Sequence, residues 1–183
     1  MDFYNLCKHR QSTRKYSSKP VDRDKIIQII ESARLAPSAC NSQPWKFIVI
    51  DEPDLKKEIA ESSYGNVLRF NRFAAEAPLM VALTIEPPKL IAKLGGALKD
   101  KDFYLMDIGV VASYFCLQAA ELGLGTCMLG WFDEKRVKQL LKIPAKKRVA
   151  LLFTVGYENG KHRKKIRKSF NDICSFNGYE GDR

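Results

Sequence analysis

The 183-residue chain predicts a three-layer fold of the α+β or α/β class, with a small sheet between helices. Three features carry that expectation. Trp45–Ile50 and Leu79–Ile85 are apolar enough for buried strands, and the second is so continuously apolar that both its faces should be covered. Asp102 to Leu122 reads as one helix, apolar nearly all round, which makes it central or buried against another subunit. Strands alternate with helices without an internal repeat, and the length suits one compact domain, 1–183.

Taken in order, residues 3–10 read as a short helix with Phe3, Leu6 and Cys7 on one side. Pro20-Val21-Asp22 opens a second helix, with Asp22 as its N-cap and Ile26, Ile27, Ile29, Ile30, Ala33 and Ala36 as a broad apolar face ended by Pro37. After the Trp45–Ile50 strand, Asp51-Glu52-Pro53 turns into a charged helix from about residue 54 to 62. An irregular piece with Phe70, Asn71 and Phe73 precedes Pro78 and the Leu79–Ile85 strand. Residues 86–101 form a connection or lid. Beyond the long helix, Gly123 and Gly125 stop it, Thr126–Leu129 makes a short strand, and Asp133 caps a helix reaching about Leu141. Arg148–Val155 is the last strand, ended by Gly156, and a mixed polar and aromatic tail follows from Phe170.

Composition excludes several classes. No apolar run reaches the roughly 18 residues that cross a bilayer, and Met1-Asp2-Phe3-Tyr4-Asn5 lacks the pattern of a signal peptide. Five dispersed cysteines without a C-x-x-C pair argue against a disulfide framework and against zinc, and favour a reducing cytoplasm. Two histidines are too few for a metal cluster. The net charge of +10 is local: Lys161, Arg163, Lys164, Lys165, Arg167 and Lys168 supply six charges within eight residues, and without those six the chain carries +4. A smaller cluster lies at Lys8, Arg10, Arg14 and Lys15. A phosphate is as good a partner for such clusters as a polyanion.

Chemistry concentrates in Ala36-Pro37-Ser38-Ala39-Cys40-Asn41-Ser42-Gln43-Pro44-Trp45-Lys46-Phe47. Two prolines fix φ while Ser38, Asn41, Ser42 and Gln43 place short donors and acceptors on a bent backbone, a loop suited to a planar polar ligand. Cys40 reads as a packed small residue, since nothing identifies a base for it. Upstream, Arg10-Gln11-Ser12-Thr13-Arg14-Lys15-Tyr16 mixes hydroxyls with guanidinium forks matched to phosphate. Gly123, Gly125 and Gly130 have the wrong spacing for a dinucleotide fingerprint, no G-K-[ST] exists, and neither His9 nor His162 lies near a nucleophile in sequence.

Together, His9–Tyr16, Ala36–Phe47, Gly123-Leu124-Gly125-Thr126-Cys127-Met128-Leu129-Gly130 and the Lys165-x-Arg167 pair resemble the nitroreductase family, in family order and over almost the whole chain. The resemblance implies an α+β fold with a central, mostly antiparallel sheet flanked by helices, and an intertwined homodimer that binds FMN at the subunit interface. It implies that Arg10, Gln11, Ser12 and Arg14 hold the phosphate and ribityl side, with Lys165 and Arg167 closing on the phosphate. Pro37, Ser38, Ala39, Cys40, Asn41 and Gln43 would come from the partner subunit and line the flavin. Met128 and the backbone at Leu129–Gly130 would face the reactive N5, and Asn71 would lie against the ring.

One position departs from the pattern: Ala74 stands where members with that asparagine often carry a lysine near flavin N1 and O2, which leaves the reduced flavin to Arg14 and backbone donors. The implied activity is a cytoplasmic NAD(P)H oxidoreductase in which NADH or NADPH delivers hydride to N5 and leaves before a nitroaromatic or quinone takes its place. No side chain is required as acid or base, and no metal or membrane is expected. Alternatives are a relative with reductive dehalogenase or flavin-processing activity and, last, a basic nucleic-acid-binding module, whose affinity would fall steeply with salt.

Overall fold

Residues 1–64, 70–87, 96 and 98–179 are described by the computed structural model of the chain. The expected lid falls largely outside them, at 88–95 and 97. Four strands form one antiparallel sheet in the order β1-β2-β4-β3, from β1 (Trp45–Ile50), β2 (Leu79–Ile85), β3 (Gly125–Leu129) and β4 (Arg148–Gly156). β2 is central and buried along six of its seven residues, as its unbroken apolar run predicts. β1, expected to be buried, lies at the sheet edge with only Ile50 buried, because it pairs with β2 alone.

Helices cover both faces. On one, α2 (Arg23–Arg34) and α4 (Phe103–Glu121) pack with Val81, Leu83, Phe153 and Val155 around Phe115. On the other, α3 (Pro53–Glu61) and α5 (Glu134–Leu140) bury Met80, Ala82, Leu152 and Leu129 with Ile59 and Val137. The period-2 alternation of β2 and β4 therefore feeds two separate cores, one per face. The short α1 (Phe3–His9) adds Leu6, and Asp2 caps it by accepting from the Asn5 N–H at 2.9 Å.

The helices start near their expected places, with one expected cap unused and one isoleucine outside the buried stripe. Glu52 accepts from the N–H groups of Asp54 and Leu55, and Asp133 from Arg136, so α3 and α5 start where sequence places them. Asp22 stands at the N-cap of α2, yet its carboxylate accepts no bond from the helix. Ile27 is 52% exposed, because only Ile26, Ile29 and Ala33 share the buried stripe of α2. Gly123, at φ +75, turns the chain from α4 into β3.

α4 is 19 residues long and apolar enough to cross a membrane by length and composition, which corrects the expectation that nothing in the chain is. Seven of its residues are buried in this fold, and among them Ile108, Val111, Ala112, Phe115, Cys116 and Ala119 form a face of the core. The opposite side leaves Met106 and Tyr114 exposed, so its own chain does not cover its whole circumference. That side borders a cavity of about 700 Å3 lined by Phe3, Leu6, Met106, Val110, Tyr114 and Leu117.

Candidate functional site

Residues 10–16 run beside the start of β3. Ser12 forms a parallel bridge with Thr126, the Thr13 N–H donates to the Thr126 carbonyl at 2.9 Å, and Tyr16 bridges Glu158. Thr13 is buried at 1% exposure, while Ser12 and Arg14 on either side of it are not buried. The alternation R-x-S-x-R is thus the period of an extended segment, which places Arg10, Ser12 and Arg14 on the face away from the core. Tyr16 anchors the segment: its hydroxyl donates to the Thr13 carbonyl at 2.9 Å and lies 2.7 Å from Thr154 Oγ1. Burial pushes the Tyr16 phenol well above its ordinary range, so it stays protonated as that donor.

The basic stretch folds back over this segment. His162 Nε2 donates to the His9 carbonyl at 2.6 Å, a bond that fixes its tautomer because a carbonyl only accepts, and the two imidazoles stack with centroids 5.0 Å apart. Arg163 donates its backbone N–H to Gln11 Oε1 at 3.2 Å and its guanidinium Nη2 to the Ser12 carbonyl. Lys165 Nζ donates to the carbonyls of Cys7 and, at 2.7 Å, Arg10, where it complements the C-terminal end of α1. One N–H of that ammonium is left over. Gln11, expected to bind a ligand, donates its amide to Glu158.

The charges converge. Burial raises the Cys127 thiol on β3, and Arg14, a hydrogen bond with Ser12, Arg163 and Arg10 oppose that rise. Burial lowers the Lys165 ammonium, and the neighbouring Arg10 and Arg167 lower it further. Arg14 also lies over the Phe73 ring, 5.8 Å from its centroid, beside Ala74, which is fully buried. None of Arg10, Arg14, Arg163, Lys165 and Arg167 belongs to an ion pair among the described residues. Five cations without a carboxylate partner repel one another and favour an anion with several oxygens.

The Pro37–Gln43 loop stands elsewhere. It makes a 3₁₀ turn at Ala39–Asn41 and holds Cys40, Asn41 and Gln43 at φ of 53, 50 and 48, a left-handed backbone without a glycine. Ser38 Oγ accepts the Gln43 N–H at 2.9 Å, Gln43 Nε2 donates to Asn41 Oδ1 at 2.9 Å, and the Ala39 N–H reaches Asp107 Oδ1 at 3.0 Å. Such strain collects at ligand sites. Cys40 is exposed, which corrects the reading of it as a packed residue: the turn points its thiol outward. No hydrogen bond among the described residues joins this loop to the basic cluster.

Asn71 is buried and donates its amide to the carbonyls of Ser63 and Trp131, each at 3.2 Å, so it ties α3 to the connection after β3. Leu129 is buried, Met128 partly so, and Gly130 is exposed with open space where a side chain would point. Gly130 also borders a cavity of about 820 Å3 with Tyr104, Ile108, Phe132 and Arg148. Sequence reading missed Asp107, whose signal is a lone carboxylate in an apolar helix, and Arg163, which one residue type in a basic run does not distinguish from its neighbours. Among the described residues no cluster of three or more metal-ligating side chains occurs.

The model of the nitroreductase family matches residues 7–157. An oxygen-insensitive NADPH nitroreductase of Helicobacter pylori is 27% identical over 93% of this chain and 91% of its own. An iodotyrosine deiodinase of Thermotoga neapolitana is 26% identical over 84% of this chain and 87% of its own. Among solved structures, a nitroreductase family protein of Clostridium novyi is 32% identical with a TM-score of 0.77, covering 87% of this chain and 86% of its own. An FMN-dependent nitroreductase of Clostridium difficile is 25% identical with a TM-score of 0.79, over 97% and 100%.

Proposed function

Since the chain belongs to the nitroreductase family, we propose that it is an FMN-dependent oxidoreductase that uses NADH or NADPH to reduce nitroaromatic, quinone or similar acceptors. The observation that carries the reading is the set of five cations, on residues 10–14 and on the basic stretch folded over them, that have no ion-pair partner among the described residues. A flavin mononucleotide brings the phosphate dianion such a set lacks, and the open space at Gly130 suits a flat ring against backbone. The chemistry FMN supplies when bound is acceptance of hydride at N5 and its release to a second substrate.

In this reading Arg10, Ser12, Arg14 and Arg167 bind the phosphate and ribityl oxygens, with the remaining N–H of Lys165. Gln11 holds the segment through Glu158. Met128, Leu129 and Gly130 present backbone to the ring, and Asn71 braces the Trp131 carbonyl just after it. Arg14, next to Ala74, is the cation nearest the place of the absent lysine and would hold negative charge on the pyrimidine edge.

Pro37, Ser38, Ala39, Cys40, Asn41 and Gln43 complete the site from a partner, because within one chain the loop is tied to Asp107 through the Ala39 N–H and, among the described residues, to none of the cations. The uncovered side of α4 and the exposed Ile166, Phe170, Ile173, Phe176 and Tyr179 of the C-terminal segment support a homodimer. Five free thiols suit the reducing cytoplasm. Donor and acceptor would use the same ring face in turn. His162, Arg163 and Lys165 are engaged with carbonyls of residues 7–12, which weakens the nucleic-acid alternative.

The test is the visible spectrum of the purified protein, followed by anaerobic NADH or NADPH. A flavin spectrum that bleaches, and recovers with a nitroaromatic or quinone, is the expected result. A colourless protein that takes up no FMN would sink the reading. Recovery only with a halogenated phenol would favour reductive dehalogenation, the second reading, which the deiodinase relative supports.

A further inference from the structure

We propose that Arg163 is a positioning residue for the phosphate of the bound flavin, acting through Ser12. The inference rests on the FMN reading and adds a residue that lies outside the Lys165-x-Arg167 pair.

The geometry begins with the strap. Carbonyls of Cys7, His9, Arg10 and Ser12, four within six residues, all accept hydrogen bonds from His162, Arg163 and Lys165. The edge on which each group lies follows from the pairing with β3. Ser12 is the bridge partner of Thr126, and the Thr13 N–H donates to the Thr126 carbonyl. In an extended segment the N–H and C=O of one residue share an edge, and successive residues alternate. Thr13 therefore turns its N–H to β3, while Ser12 turns both its groups away from it, towards the strap. Arg163 Nη2 takes the Ser12 carbonyl on that edge.

The Ser12 N–H beside it has no acceptor among the described residues. It lies next to a guanidinium with further donors, and Lys165 stands two residues along the same strap. An N–H without an acceptor, flanked by cations without a carboxylate, is the local arrangement a phosphate oxygen satisfies. By holding the Ser12 carbonyl, Arg163 restrains the Ser12–Thr13 peptide and so limits how the segment can turn beside that N–H. Its backbone N–H is accepted by the Gln11 side chain, so Arg163 holds Ser12 by its carbonyl and the residue before it by its side chain.

The alternative occupation of Arg163, a surface ion pair, is absent among the described residues. The guanidinium, although exposed, also opposes the rise of the Cys127 thiol.

The experiment compares the wild type with Arg163→Gln and Arg163→Lys in the full chain, titrated with FMN and with riboflavin by quenching of flavin fluorescence. Loss of a charge-assisted hydrogen bond predicts FMN binding weaker by about 10- to 100-fold in R163Q, with riboflavin affinity unchanged. R163K, which keeps a charged donor, should recover part of the loss. FMN affinity equal to the wild type in R163Q overturns the proposal. Equal losses for FMN and riboflavin also overturn it, since they mark a general structural contact. If the wild type itself binds FMN no better than riboflavin, the FMN reading fails first. The proposal is then judged with inorganic phosphate alone, which must raise the Tm of the wild type but not of R163Q for an anion site at Ser12 to stand.

Discussion

Substituting Gly125 by alanine tests whether the Arg10–Tyr16 segment is locked onto β3. A Cβ built at Gly125 would lie 2.4 Å from Thr13 Oγ1, 2.7 Å from its Cβ and 2.8 Å from its Cγ2, against 3.4–4 Å for ordinary contact. Thr13 must then retreat by about 1 Å. It has no free direction: its N–H is bound to Thr126, its carbonyl to Tyr16, and its side chain is enclosed. Overpacking of this kind costs about 1–3 kcal/mol. At roughly 2–4 °C per kcal/mol for a chain of this length, Tm should fall by about 2–12 °C. Differential scanning calorimetry with and without FMN measures it, and FMN affinity should fall together with Tm, because Ser12 adjoins Thr13. Thr13→Ala removes two of the three clashing atoms, so the double variant should lose less than the two single losses added together. A Tm within about 1 °C of the wild type for G125A would show that Thr13 does not hold the segment, and the reasoning about Ser12 would lose its foundation.

Thr13 Oγ1 is itself buried without a hydrogen-bond partner, so Thr13→Val should raise stability by about 1 kcal/mol, seen as a higher urea midpoint at unchanged slope. Asn71→Ala leaves the buried Ser63 carbonyl and the part-buried Trp131 carbonyl unpaired and should cost about 1–3 kcal/mol even without flavin; weaker FMN binding at unchanged stability would instead make Asn71 a ligand contact only. Burial works to raise the Glu134 carboxyl, but the Val149 N–H and Arg148 outweigh it and hold it below its ordinary 4.5. The folded form therefore favours the carboxylate, and its stabilisation is complete above that ordinary value and fades as pH falls through the lower folded one. Glu134→Gln should flatten the acid limb of a Tm–pH profile and leave the profile above pH of about 6 parallel to the wild type.

The elements most legible in the sequence were those with a single physical cause. β1 and β2 have their expected bounds to the residue, because prolines and turn residues flank each apolar run. The helices fall within a residue or two of their expected ends, since Glu52 and Asp133 cap as their side chains allow. What the sequence hid depended on neighbours distant in the chain. That β1 is an edge strand is decided by strand order, and Trp45–Ile50 looks the same in either place. Ile27 looks like its neighbours Ile26 and Ile29, and only the contact with α4 selects the stripe. In the basic cluster, Arg10, Ser12 and Arg14 were visible because period 2 separates them from Gln11 and Thr13. Arg163 was invisible because Lys161 to Lys168 has no period, and the pairing of the strap with residues 7–12 sorts one cation from the next.

The two halves of the candidate site are each incomplete in a different way, and their incompleteness points to one assembly. The cation cluster has donors and surplus charge but, within its own chain, no strained polar loop to cover a ring. The loop has three residues in left-handed conformations, at about 1–3 kcal/mol each, and nothing from the cluster to justify them. What holds it is Ser38 on Gln43 and, from α4, Asp107 on the Ala39 N–H. Asp107 lies on α4, the helix whose other side is uncovered. The loop is therefore fixed to the element that a partner would pack against, so in the proposed dimer, docking α4 would also deliver the loop to the partner's cations. In that proposed dimer, strain in the loop would be sustained by its own chain and used in the partner's site.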